Sequence, residues 1–439
     1  MSTEVDSPDI QLNDPKTINA WALFDWANSS YALVIAVAIF PIYFNEIVAD
    51  DIQLFGINMT DSSLFSYSLT VAYLIISVSL PLLSGIADYG GRRLFFMKLF
   101  TTLGGLSCIA LFFFEEEFFF QNAPLAIGLT GFILATVGFA GGQVFYNSFL
   151  PIIVTEDRFD SVSAKGFSYG YIGSVILLVI NLIVILKPGW FGIGSASLAT
   201  RISFIMVGLW WIGFAQITFQ RLPKDPFNRP KKDLLTKGYE ELRKVWGAVK
   251  QQKNTKNFLF SFFCYSAGVQ TVLFLASTFA SDELKMDATE LILIILLLQI
   301  VAIVGALVFA KVSGIWGNKR AIIIMLLIWT SICFVSYFVY EKWQFYFIAA
   351  AVGFVMGGIQ SISRSTYSKL IPENTKDTAS YFSFFDVLEK LAVVLGTFSF
   401  GFIDQLTGSM RGSILALTIF FVVGLVILLT VKVQPAKVR

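Results

Sequence analysis

The sequence predicts an all-α polytopic membrane protein in which twelve transmembrane helices form two six-helix bundles. The first observation behind this prediction is the composition. Of 439 residues, 56% are hydrophobic and only 14% are charged, whereas about 25% of the residues of a typical soluble protein are charged. A soluble fold of this length cannot bury so much apolar surface, which excludes soluble enzymes, nucleic-acid-binding proteins and disordered scaffolds.

The second observation is the spacing of the apolar runs, which are long enough to cross a bilayer and fall into two sets of six. The first set covers 19–44, 64–87, 94–114, 125–154, 166–186 and 202–219. The second covers 257–281, 291–310, 321–340, 343–371, 378–403 and 413–431. We therefore predict one bundle over 1–219 and another over 257–439, joined by a linker over 220–256.

The distribution of positive charge predicts the orientation. Most Lys and Arg residues fall on one side of the predicted spans, which places both termini and the linker in the cytoplasm. The compact loops favour a bacterial inner membrane. In the basic linker, apolar residues recur at helical spacing at Leu235, Tyr239, Leu242, Trp246 and Val249. We expect an amphipathic helix that joins the bundles and binds anionic lipid of the inner leaflet; a regulatory or partner-binding role is the alternative.

Several kinds of chemistry have no residues to support them. The chain contains no histidine, which excludes Ser-His-Asp catalysis and histidine zinc sites. Its cysteines, Cys108, Cys264 and Cys333, lie far apart in apolar runs, so a CxxC site is absent. No GxxxxGK[ST] phosphate loop occurs. We expect neither an enzyme nor a metal, cofactor or nucleic-acid site.

The loop after the second span carries the first recognisable motif. Asp88, Gly91, Arg92 and Arg93 combine a tight glycine turn with a carboxylate that can cap an adjacent helix and two arginines at the inner surface. The stretch 84–93 resembles the G-x-L-A-D-R-x-G-R-R signature of the major facilitator superfamily, in which this loop acts as a conformational latch. A weaker echo over 317–320 follows the eighth span, with Ile315 where the aspartate would align.

A narrower resemblance extends over most of the chain. The stretches 21–31, 146–151 and 357–365 are similar to the branch that includes the vacuolar amino-acid effluxers of autophagy and their bacterial relatives. This resemblance implies the major facilitator fold and a carrier for amino acids or similar metabolites. It also implies that helices 1, 4, 7 and 10 line the cavity.

Charged residues inside the spans are the main site candidates, because each costs about 2.5 to 3.5 kcal/mol on insertion scales. They are Asp25, Arg364, Asp386, Glu389 and Lys390. Asp25, Arg364 and Asp386 fall at a similar depth, about 10 Å from the inner surface, and Asp386 and Lys390 are spaced to pair on one helix face. Three interpretations stay open: a static ion-pair network, a gate built on Asp25 and Arg364, or groups that bind substrate and carry protons.

Uncharged polar residues form a second set of candidates. Those on the cavity-lining helices implied by the resemblance are Asn28, Asn147, Gln270 and Gln360. Tryptophans near span ends are typical interface anchors, and this interpretation applies to Trp21, Trp26, Trp190 and Trp343.

These observations lead to one expected function and one alternative. We expect a monomeric secondary transporter that uses alternating access to export or exchange a small polar metabolite, amino acids among the candidates, with protons as the coupling ion. The alternative is a translocator of lipids or amphiphiles with the same fold, because a cavity in so phenylalanine-rich a chain could accept an acyl chain.

Overall fold

The computed structural model describes residues 11–48, 52–54, 57–59, 61–115, 123–224, 234–373, 375–407 and 410–432. Within them the chain forms thirteen long helices, two isolated 3-10 turns and one short hairpin. The helices are Pro15–Ile47 (α1), Asp61–Gly90 (α2), Arg93–Phe113 (α3), Ala123–Ile153 (α4), Phe159–Leu186 (α5), Ala196–Arg221 (α6), Leu234–Gln251 (α7), Lys253–Asp282 (α8), Ala288–Trp316 (α9), Asn318–Ser336 (α10), Lys342–Leu370 (α11), Thr378–Thr407 (α12) and Met410–Leu429 (α13). The 3-10 turns are Glu156–Arg158 and Pro188–Phe191.

The fold agrees with the predicted membrane class. Ten of the helices are long and apolar enough to cross a membrane. Two more, α8 and α12, have 30 residues each and pack among the others. The remaining helix, α7, lies in the predicted linker. The hairpin between α1 and α2 pairs β1 (Ile52–Leu54) with β2 (Ile57–Met59) in antiparallel register, a feature that the sequence did not predict.

The first helix shows how local sequence sets the helix bounds. Asp14 caps α1 by accepting from the backbone nitrogens of Lys16 and Thr17, and Pro15 occupies the first turn, where its missing N–H costs nothing. From Tyr31 to Ile39 the helix continues as a π-helix. Wide turns of this kind are rare and often lie at functional sites.

The packing repeats between the two halves of the chain. In the first half α1 packs on α5 and α6, α3 on α4 and α6, and α2 on α4. In the second half the equivalent pairs recur: α8 packs on α12 and α13, α10 on α11 and α13, and α9 on α11. We call these sets the first helix group (α1 to α6) and the second helix group (α8 to α13). Helix α8 begins at Lys253, inside the segment predicted as linker.

The two helix groups meet through matching pairs as well. Helix α5 contacts α9 and α11, and its equivalent α12 contacts α2 and α4. The contact regions lie toward the end of the molecule where α1 begins and where α2 and α11 end, which we call the termini side. This is the side that the positive charges predict to be cytoplasmic.

The linker helix α7 packs closely against the first helix group. Residues 225–233 of the predicted linker lie outside the described residues, but α7 itself packs on α2, with Gly238 against Gly85 and Ile86. Val245 and Val249 are buried, whereas Leu235, Tyr239 and Trp246 are exposed. Of the apolar residues predicted on one face, Val249 is therefore buried against the protein, whereas Leu235, Tyr239 and Trp246 remain exposed.

Candidate functional site

Asp25 of α1 and Arg364 of α11 form a buried ion pair between the two helix groups. Nη1 of Arg364 lies 3.3 Å from Oδ2 of Asp25, and both side chains are only 3% exposed. The same aspartate oxygen accepts a hydrogen bond of 2.7 Å from the Tyr146 hydroxyl. Arg364 also donates to the hydroxyl and the carbonyl oxygen of Ser163 at 2.9 and 2.8 Å, and to the amide oxygen of Asn147 at 3.2 Å. The guanidinium group is thus almost fully satisfied without water.

Aromatic rings enclose this arginine. The guanidinium carbon lies 4.9 Å from the Trp21 ring centre, 5.4 Å from that of Tyr146 and 4.2 Å from that of Phe167. Such cation–π contacts add electrostatic attraction where water is excluded. The interpretation of Trp21 as an interface anchor is wrong: its side chain is fully buried and its indole nitrogen donates to the Tyr146 carbonyl oxygen. Helix–helix packing, which span position does not reveal, accounts for the difference.

Gly166 of α5 makes room for the ion pair. A Cβ at this position would lie 2.8 Å from Oδ2 of Asp25 and 2.9 Å from Nη2 of Arg364. Any side chain there would displace one of the charged groups. The glycine is therefore part of the site.

The other three charged candidates lie on α12, and their pairing differs from the prediction. Lys390 binds Glu389 at 2.6 Å rather than Asp386, one helical turn away. Gln270 donates to the second oxygen of Glu389 at 3.2 Å. Asp386 is 3% exposed, and its Oδ2 has no hydrogen-bond partner in the described structure.

A cavity of about 380 Å³ lies between the helix groups. Its lining contains most of the predicted polar residues: Asp25, Asn147, Gln270, Gln360, Arg364, Asp386, Glu389 and Lys390. Asn28 does not line it. That side chain is fully buried, and neither of its amide atoms has a partner in the described structure. The neighbouring Ser29 lines the cavity instead, because one residue along a helix turns the side chain by about 100°.

The loop that contains Asp88, Gly91, Arg92 and Arg93 contacts the second helix group at one edge of the termini side. Asp88 accepts hydrogen bonds from the backbone nitrogens of Ala379 and Ser380 at 3.2 and 2.7 Å, so it caps the first turn of α12 in the other helix group. Arg93 donates to the Thr378 hydroxyl at 2.8 Å. Gly91 has a φ of 62°, the left-handed conformation that favours glycine. Arg92 follows it and precedes α3.

A second closure at the symmetric edge was missed from the sequence. Asp160, in the first turn of α5, binds Lys369 of α11 at 2.8 Å. It also accepts from Ser313 at 2.9 Å and from Asn318 at 2.8 Å, the latter in the weaker echo of the loop motif. The carboxylate here belongs to the helix start rather than to the loop, which is why Ile315 at the aligned position gave no signal. The proximity of Asp160 to a span end is what could have indicated it.

The linker helix adds a contact across the same side. Lys244 of α7 binds Glu241 at 2.6 Å and Asp377, just before α12, at 3.1 Å. Hydrogen bonds to these two carboxylates raise the pKa of Lys244, which keeps the amine charged at neutral pH. The Trp246 ring lies 5.2 Å from that of Phe384 in α12. Helix α7 therefore contacts both helix groups.

Known proteins with related sequences are transporters. Residues 13–439 match the family model described as vacuole effluxer Atg22 like. An uncharacterised MFS-type transporter, YxiO of Bacillus subtilis, is 29% identical over 415 residues, covering 94% of each chain. Autophagy-related protein 22 of Pichia angusta is 26% identical over 430 residues, covering 84% of this chain and 74% of the relative.

Solved structures with the same fold belong to one superfamily. The proton:xylose symporter XylE superposes with a TM-score of 0.70 at 13% identity, covering 95% of each chain. The major facilitator transporter FucP in its outward conformation gives 0.67 at 14% identity, covering 96% of this chain and 99% of that one. At this identity the likeness shows the fold alone. The chain therefore belongs to the vacuole effluxer Atg22-like family and is a transporter of the major facilitator superfamily.

Proposed function

We propose that this transporter exports or exchanges a small zwitterionic metabolite, with amino acids as the first candidates, by alternating access. The observation that carries the proposal is the cavity lining, where cationic and anionic side chains face the same space. Lys390 and Glu389 lie side by side on α12. A cation and an anion at this separation suit the carboxylate and ammonium groups of one small ligand.

The Asp25–Arg364 pair acts as the gate of this cycle. It joins α1 to α11, and thus one helix group to the other, between the cavity and the termini side. Opening toward that side must break it together with the closures at Asp88 and Asp160. A buried ion pair suits a gate because the cost of desolvating both charges offsets most of their attraction. The pair then contributes little net free energy to the closed state, and ligand binding can shift the equilibrium between the closed and open states. Several separate contacts on one side make the closed state cooperative.

Protons are the proposed coupling ion, and membrane lipid is a further partner. The exposed Leu235, Tyr239 and Trp246 of α7 and its neighbouring bases fit an anionic membrane surface. The bacterial relative supports a bacterial cell membrane, and the distribution of Lys and Arg supports an orientation with both termini in the cytoplasm. We propose a monomer as the working unit.

A second function is favoured by the apolar part of the cavity lining. Phe139, Phe167, Phe262 and Phe385 all contribute to it, and aromatic walls could accept an acyl chain. Lipid or amphiphile translocation is therefore the alternative that any transport experiment must include.

Reconstitution into proteoliposomes tests both functions. Vesicles preloaded with an unlabelled amino acid should take up the same labelled amino acid by counterflow, and a panel of amino acids at two pH values identifies the substrate. Parallel vesicles with a fluorescent lipid report translocation through dithionite quenching. Counterflow of an amino acid without lipid movement supports the proposal. Lipid movement without any counterflow would replace it with the alternative.

A further inference from the structure

The charged groups of the cavity do not balance. Among the residues that the structure describes, two cations and three carboxylates line it. Arg364 pairs with Asp25 at 3.3 Å and Lys390 pairs with Glu389 at 2.6 Å. Asp386 is the carboxylate left over.

Asp386 has no ion-pair partner of its own in the described structure, and the neutral side chain of Asn147 faces its carboxyl group. Asp386 is only 3% exposed, and its Oδ2 has no hydrogen-bond partner in the described structure. An ionised carboxylate in such a place is strongly disfavoured, whereas the neutral acid is tolerated. Asp25 differs from Asp386, because Oδ2 of Asp25 accepts hydrogen bonds from both Arg364 and Tyr146.

Charged and titratable groups approach Asp386 from several helices. Its own helix carries Glu389 and Lys390, and α11 carries Arg364 and Tyr367. From α2, Tyr73 faces Lys390 and Glu389 rather than Asp386 directly. From α1 the nearest charge is Asp25, which Arg364 already neutralises. Each cation in this set is therefore committed to another carboxylate.

Asn147 connects Asp386 to the gate. Its side chain faces the Asp386 carboxyl group, and its amide oxygen accepts a hydrogen bond of 3.2 Å from Arg364. Any movement of Arg364 away from Asp25 therefore changes the surroundings of Asp386 through a single intervening residue.

We propose that Asp386 is the proton-binding residue of this transporter, protonated while the Asp25–Arg364 gate is closed and deprotonated when it opens. This inference rests on the proposed transport function. On opening, Arg364 leaves Asp25 and becomes available to Asp386. The O–H bond of the acid then breaks, its proton passes to water on the termini side, and the carboxylate that remains is neutralised by the guanidinium group. One proton is carried in each cycle.

The test compares two transport modes in proteoliposomes, using an amino acid that the wild type exchanges. Counterflow requires no net proton movement, whereas accumulation driven by a pH gradient does. A gradient of one pH unit drives about tenfold accumulation when the cycle moves one proton for each substrate transported. Asp386→Asn, which imitates the protonated acid, should retain counterflow within about twofold and lose the pH-driven accumulation.

Two further variants sharpen the test. Asp386→Glu restores a carboxyl group and should restore pH-driven accumulation. Glu240→Gln, which makes the same carboxyl-to-amide change on the exposed surface of α7, should leave both modes intact. Infrared difference spectra supply a readout independent of transport: the carbonyl stretch of a protonated carboxylic acid should be present in the wild type at neutral pH and reduced in Asp386→Asn.

The outcomes separate this inference from the proposed function. If wild-type protein shows counterflow but no pH-driven accumulation, the transport function stands and the proton role of Asp386 is wrong. The proton role is also wrong if Asp386→Asn still accumulates substrate, or if the folded variant loses counterflow as well, since Asp386 would then bind substrate. Absence of counterflow for every metabolite would overturn the transport function itself.

Discussion

At the scale of single residues, the charged positions of the site were visible in the sequence but their partners were not. A charge in an apolar run stands out because the membrane makes it costly, and this identified Asp25, Arg364 and Asp386. The partners depend on which way side chains point between helices. Trp21, Tyr146 and Gly166 surround the ion pair from three different helices, and nothing in their local sequence shows this convergence.

Gly166 offers a test of that convergence. Gly166→Ala places a methyl group within 3 Å of both charged partners, and overpacking of this kind costs about 1 to 3 kcal/mol. We expect a lower melting temperature in detergent and slower counterflow. Gly213→Ala is the matched control, because nothing lies within 4 Å of a Cβ there. Equal effects of the two substitutions would contradict the assigned role of Gly166.

The carboxylate of Asp160, which forms the second closure, allows another test at this scale. Asp160→Asn leaves Lys369 buried without a counter-charge, which costs about 3 to 5 kcal/mol. Glu240→Gln removes a partner from the exposed Lys237 pair and should cost about 0.5 kcal/mol or less. Thermal unfolding of the two variants in detergent should therefore differ clearly. If both melt like the wild type, Asp160 does not hold the closed state together.

At the scale of elements, the sequence predicted the spans well because each must be long and apolar whatever its neighbours are. It predicted less about the linker helix. Periodicity showed that α7 is amphipathic but could not show that Gly238 and Gly85 bring it against α2. Backbone contact of this kind depends on two glycines that are distant in sequence. The sequence therefore did not show that part of the apolar face of α7 is buried against the protein.

The packing of α7 can be tested by displacing it. A Cβ at Gly238 would lie 2.6 Å from Cγ1 of Ile86, so Gly238→Leu should push the helix away from α2. Val245 is 1% exposed, and a cysteine placed there should react with a soluble maleimide much faster in this variant. Gly247→Leu is the control on the same helix, where nothing lies within 4 Å of a Cβ. Equal labelling rates in both variants would show that α7 is not held by Gly238.

At the scale of the whole molecule, the structure is a repeat whose two copies face each other. Equivalent helix pairs recur within each group and between the groups, and the closures at Asp88 and Asp160 occupy equivalent edges. The sequence indicated the repeat through its two sets of six spans and the loop echo over 317–320, but the carboxylate of the second closure lies at the start of α5 instead of in the loop. The two closures therefore lie at equivalent edges of the molecule, but their carboxylates do not come from equivalent positions in the two halves. A comparison of the two half-sequences does not detect such a pair.

In the mechanism we propose, the Asp25–Arg364 pair keeps the cavity closed toward the termini side. The most direct measurement follows a single cysteine at Ser266, which lines the cavity, in a background where Cys108, Cys264 and Cys333 are alanine. An impermeant thiol reagent is applied from the termini side of oriented vesicles, with and without Asp25→Asn. We expect labelling to rise at least about tenfold in the variant, corresponding to about 1.4 kcal/mol of lost closed-state preference. An unchanged labelling rate would contradict the gate.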